Sequence, residues 1–231
     1  MHIGQKQSEY CDFRKYTNNN PLDRKEVINK VTNEFSYNKN NKSIQHYKEN
    51  HDHTPPWIAV KALYFGTVIN WYKVLPPPLK ENVAGEFLKT TTLESEEKKE
   101  FLVILFNLLH EYRNNIAHGS RTFLSNVSSE LNKTLLLKIV DSETLTSEDY
   151  DQDIGKRDLF AVIISIAILI NDPIVFRKYL KDLITIISEE NEPENLNRDI
   201  SPKGNIFKTL NIPENIFNRI ANIYNNKFIS D

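Results

Sequence analysis

The feature that most constrains this 231-residue chain is the run LFAVIISIAILI, from Leu159 to Ile170. A helix that is apolar on every side has to be surrounded, by lipid or by other protein. The run is about half of the roughly 20 residues that cross a bilayer, and Asn171, Asp172 and Pro173 end it abruptly. It is therefore expected to be a core helix, over about Lys156 to Ile170, with the rest of the chain covering it.

Other segments repeat apolar residues at helical spacing and can supply that cover. Phe101, Leu102, Leu105, Leu108, Leu109, Tyr112, Ile116 and Ala117 form one stripe. Ser95 is expected to cap its start, with Glu96 and Glu97 at the positive end of the helix dipole, and Gly119 to cap its end. A second helix is expected from Pro56 to Val74, stopped by the prolines at 76–78, and a short one over PLKENVAGEFL. A further helix, Pro173 to Glu189, is separated from the core helix only by NDP, as antiparallel neighbours are. The fold class expected is all-α: a helical bundle over residues 43–190, with an irregular insert after Arg121 carrying a short strand or hairpin at TLLLKIV. Residues 1–42 read as a polar lead-in with one candidate helix, LDRKEVINKVTNEF, capped by Asp23 or Asn20. Residues 191–231 read as a polar tail ending in an amphipathic helix.

A net charge of -2 excludes a generally basic nucleic-acid binder, so any phosphate contact must be local. Cys11 is the single cysteine, which excludes an internal disulfide and a cysteine metal cluster and fits a reducing compartment. His46, His51 and His53 lie close in QHYKENHDH, but nothing fixes a fourth ligand. No metal and no cofactor are expected. MHIGQKQSEY has no apolar signal core, so the expected location is cytoplasmic, without membrane contact.

Chemistry concentrates in HEYRNNIAHGSR, residues 110–121. Arg113 and His118 are five apart, about 140° around a straight helix, and so do not share a face. They can converge only if the helix ends between them or a second copy supplies a partner across a two-fold axis. A histidine can move protons to and from a ribose 2′-hydroxyl and a leaving oxygen, and a guanidinium can grip phosphate bidentately. That pairing suits RNA cleavage without a metal. Spacing alone does not separate it from solvated charge.

A wider pattern does. His46 and Tyr47, Pro56 and Trp57, and Phe65 and Gly66 precede ENVAGEF and then Arg113, Asn114, Ala117, His118 and Arg121. This ordered set, over about Ser43 to Phe123, resembles the Abi family of abortive-infection proteins, of the AbiD and AbiF type, within the HEPN superfamily. The resemblance implies a helical bundle and a metal-independent endoribonuclease whose site forms where two motifs meet in a homodimer. It implies His118 as general acid or base, Arg113 as phosphate and transition-state stabiliser, Asn114 as polar support, and Arg121 as a secondary RNA contact. Gly119 stands where many relatives carry a second histidine, and the helices that precede the His-Tyr segment in relatives are expected to be absent or much reduced here. The implied biology is phage defence or a toxin, with RNA as partner and a neutralising antitoxin as a further candidate. The alternative is a non-catalytic RNA-binding or protein-assembly module that keeps the motif.

Overall fold

A computed structural model describes residues 6–37, 41–51, 53–118, 127–191 and 206–229. Every named element among the described residues is a helix, as the all-α expectation requires, and the contacts group into two compact units, Met1–Val83 and Ala84–Asp231.

The first unit contains α1 (Gln7–Tyr10), a 3-10 turn (Phe13–Lys15), α2 (Arg24–Ser36), α3 (Lys42–Asn50), α4 (Pro56–Ala59) and α5 (Phe65–Val74). Asp23 caps α2, accepting from the Lys25 and Glu26 amides. Residues that read as a lead-in supply much of its core: Tyr10, Val31 and Phe35 pack with Ile44, Ile58 and Ala59, and Tyr16, Val27 and Ile28 with Val74. Three polar links stitch this core. Trp71 Nε1 donates to the Tyr16 hydroxyl at 3.0 Å, Tyr16 to the Tyr10 carbonyl at 2.6 Å, and Tyr10 to the Thr54 carbonyl at 2.6 Å.

The continuous helix expected from Pro56 to Val74 is broken. After α4 a 3-10 turn (Val60–Ala62) leads to extended backbone at Leu63 and Tyr64, and α5 starts afresh at Phe65. The cause is a cap supplied from another helix: Glu34 of α2 accepts from the Tyr64 amide at 3.0 Å and the Thr67 hydroxyl at 2.7 Å. A carboxylate at a helix start satisfies open amides and complements the dipole.

Helix α6 (Pro77–Phe87) carries the chain into the second unit, which holds α7 (Ser95–Ala117), α8 (Lys133–Ile139), α9 (Ser147–Asp151), α10 (Leu159–Leu169), α11 (Pro173–Asn191), α12 (Ile206–Leu210) and α13 (Ile216–Phe228). The apolar run is α10, and Phe160, Ala161, Ile163, Ile164, Ala167 and Ile168 are buried. Its cover comes from α7 and from the tail helix α13, which also packs on α11. Asp158 caps α10, accepting from the Ala161 amide at 2.8 Å and the Gly155 amide at 3.1 Å. Gly155 has a φ of 71°, and a Cβ there would stand 2.8 Å from Leu145 Cδ1. At the other end of α10, Lys227 Nζ donates to the Ile168 and Ile170 carbonyls, each at 2.7 Å.

Two corrections concern this unit. The strand expected at TLLLKIV is α8, because Asn132 Oδ1 accepts from the Leu135 amide at 3.1 Å and caps a helix that buries Leu135 and Leu136. Ser95 is the first residue of α7 and not its cap. Glu94 takes that position, and its amide donates to Glu97 Oε2 at 3.1 Å.

Candidate functional site

Helix α7 keeps its period through Ala117, and His118 closes it with φ -88° and ψ 8°, its amide donating to the Asn114 carbonyl at 3.0 Å. The helix therefore does not end between Arg113 and His118, and the separation of about 140° that ideal geometry gives is kept within one chain. Arg113 and His118 are both exposed, and Asn114 is half-buried. Among the described residues neither Arg113 nor His118 enters an ion pair. Arg121 and Gly119 lie outside the described residues.

Side chains beside the motif residues fix this turn. Tyr112 is buried and its hydroxyl donates to the Arg157 carbonyl at 2.8 Å. Glu111 receives the chain where it returns to α7: the Ser128 amide and hydroxyl donate to it at 2.7 Å each, and the Ser129 amide and hydroxyl at 3.1 and 2.7 Å. Partial burial raises the Glu111 pKa and these four donors lower it; the donors prevail, and the carboxylate lies below the usual glutamate range. Neighbouring side chains of one stretch thus do different work: 111 and 112 anchor the helix, while Arg113 and His118 are exposed, His118 only about 20° around the axis from Glu111.

The apolar stripe stops short of its expected length. Ile116 has the same angular position as the buried residues before it, yet it is 63% exposed, and Ala117 is exposed as well. The last turn of α7 extends past the side chains that cover the helix up to Tyr112.

Two residues escaped the reading of the sequence. Asn114 Nδ2 lies 3.1 Å from His110 Nε2, and Arg113 Nη1 donates to Asn114 Oδ1 at 3.2 Å. The signal for His110 was present, since 110 and 114 are helical neighbours four apart. Glu111 left no comparable signal, because its partners lie 17 and 18 positions on.

Among the described residues no cluster of histidine, cysteine and carboxylate groups could hold a metal, and no helix is long and apolar enough to cross a membrane. His46, Tyr47 and His51 do gather, but as an aromatic cluster, with His46 edge-on to both other rings and the Tyr47 and His51 centroids 4.7 Å apart. A cavity of about 190 Å³ in the second unit is lined by Thr91, Thr144, Ile223 and Lys227. It contains none of the motif residues, and the Lys227 ammonium is already bonded to the end of α10.

No curated protein and no solved structure matches the chain. A family model described as Abi-like protein matches residues 1–124, more than half of the 231. The matched region includes the first forty residues, the whole of the first unit, and α7 with Arg113, Asn114 and His118. By that match the chain belongs to the Abi-like family.

Proposed function

We propose that this protein is a metal-independent endoribonuclease of the HEPN type, acting in phage defence by abortive infection or as a toxin, at a site completed by a second copy of the chain. The observation that carries this reading is the outward presentation of Arg113 and His118 on the last turn of an uninterrupted α7, away from every described ion pair. Residues about 140° apart on one helix do not grip one phosphate together. Two helices crossing at a two-fold axis bring the arginine of one to the histidine of the other. Exposed Ile116, between them in sequence, supplies apolar surface for such a crossing.

In the reaction that follows from this arrangement, one His118 imidazole takes the proton of a ribose 2′-hydroxyl. The 2′-oxygen attacks the adjacent phosphorus, the bond from phosphorus to the 5′-oxygen breaks, and a protonated His118 returns a proton to that oxygen. The products are a 2′,3′-cyclic phosphate and a 5′-hydroxyl. Arg113 offers paired donors to the phosphoryl oxygens as negative charge builds on them.

The test is incubation of the purified protein with total bacterial RNA in EDTA, beside His118→Ala and Arg113→Ala variants whose helical content matches wild type. Cleavage to 2′,3′-cyclic phosphate ends, lost in both variants, supports the reading. Intact RNA, or equal cutting by the variants, overturns it for the isolated protein and leaves a non-catalytic RNA-binding or assembly module.

A further inference from the structure

Arg113, Asn114 and His110 form a directional chain on the surface of α7. Arg113 Nη1 lies 3.2 Å from Asn114 Oδ1, and Asn114 Nδ2 lies 3.1 Å from His110 Nε2. A guanidinium can only donate, so it selects the carbonyl edge of the amide. The amino edge then faces His110, whose Nε2 has to offer its lone pair, with the ring proton on Nδ1. Reversing the amide would set two donors against each other at Arg113.

This order matters because Arg113 is exposed. A free arginine side chain loses rotamer entropy when it is held in one geometry. An adjacent asparagine is a poor anchor by itself, since the terminal torsion of its amide is broad. His110 is half-buried, one helical turn towards the body of α7. A partner so placed gives the amide one preferred orientation, and the amide then gives the guanidinium one.

Resting on the endoribonuclease reading above, we infer that His110 is a positioning residue. It accepts from the Asn114 amide, turns the amide carbonyl toward Arg113, and so sets the guanidinium that grips the scissile phosphate. Glutamine at 110 can place an acceptor near the position of Nε2, leucine cannot, and lysine places a donor there.

The experiment compares full-length wild type with His110→Gln, His110→Leu, Asn114→Ala and the double variant His110→Leu/Asn114→Ala, by two readouts. The first is the NMR signals of the Asn114 side-chain amide and the Arg113 Nε–H. Both are expected to move in His110→Leu and to stay near wild type in His110→Gln. The second is kcat on a single-stranded RNA, expected to fall about tenfold or more in His110→Leu while His110→Gln stays within about threefold. The double variant is expected to be no slower than Asn114→Ala alone, as for residues acting in one chain. Should His110→Leu fail to fold, His110→Lys replaces it with the same expectations. An Arg113 signal indifferent to the loss of the 110 acceptor overturns the inference, as does additivity in the double variant. If wild type cleaves no RNA, the nuclease reading falls, and the NMR signals still decide whether His110 orders Arg113.

Discussion

Arginine and lysine carry the same charge, but only arginine offers a planar fork of donors to a phosphate. Arg113→Lys therefore separates attraction of RNA from stabilisation of the transition state. RNA affinity, measured by fluorescence anisotropy, is expected to change little, because a cation remains at the same place. Cleavage is expected to fall about a hundredfold, the scale of losing one preorganised donor; equal loss of affinity and rate would reduce Arg113 to a counter-charge. At this scale the sequence was informative where a motif existed. Arg113, Asn114 and His118 stood out through their order with His46, Trp57 and Phe65. His110 did not, because a histidine on a half-buried helix face is ordinary until the rotamer of Asn114 is known. Whether Arg113 and His118 converge depended on where α7 ends, and two or three residues of helix decide that.

Helix α7 reaches its last turn already fixed on one side, and that side can be loosened by a single change. Glu111→Ala removes the acceptor for four donors from Ser128 and Ser129. Ser128 is exposed and Ser129 half-buried, so water replaces part of this bonding and the net loss is about 1 kcal/mol. The midpoint of urea unfolding should fall accordingly, with an unchanged m-value. Cleavage should drop beyond any loss of folded protein, since the turn bearing Arg113 shares the anchor. The same bonds set a pH dependence. Glu111, Asp141 and Asp149 all lie below their ordinary pKa values, because donors outweigh the upward pull of burial; Asn222 and Asn226 serve Asp141, and Arg219 serves Asp149 at 2.7 Å. A carboxyl depressed in the folded state adds stability above its unfolded pKa and loses it as pH falls through the folded one. Asp158 is raised, chiefly by burial, and acts in the opposite sense. Asp12 and Glu97 are depressed as well, by hydrogen bonds from Arg14 and Lys138, so with five groups against one the thermal midpoint is expected to decline as pH falls from about 5 towards 3. Asp149→Asn should flatten that decline. Elements were legible where a period and a cap agreed, as in α2, or where a continuous apolar run ended sharply, as in α10. They were misread where the deciding group came from afar, as with Glu34 starting α5. In α8, Leu135, Leu136 and Ile139 carry helical spacing, and β-branched neighbours obscured it.

Seen as a whole, the chain builds two compact units, and the family match covers all of the first and the start of the second through α7. The all-α class was readable because an apolar run too short for a bilayer demands helical cover. The part played by the first forty residues was not, since Tyr10, Tyr16 and Phe35 are scattered among polar neighbours and meet only in three dimensions. What a sequence or a single chain does not contain is a second copy, and the proposed chemistry turns on one. A site needing two copies has a rate that falls with the square of protein concentration below the dissociation constant of the dimer, whereas a site within one chain gives a linear fall. Wild type is expected to elute at twice the chain mass and to show the quadratic fall on dilution. Ile116→Asp puts a charge on apolar surface that is 63% exposed in the single chain. Because the position is exposed, folding should be untouched, and circular dichroism should match wild type. Burying that carboxylate against a second α7 would be costly. The variant should therefore elute as a monomer and lose cleavage at concentrations where wild type is fully active, with activity partly recovered as concentration rises. A monomeric wild type with a linear rate would instead require Arg113 and His118 to act from opposite sides of one helix. The geometry of α7 argues against that, so this outcome would move the catalytic assignment away from the pair.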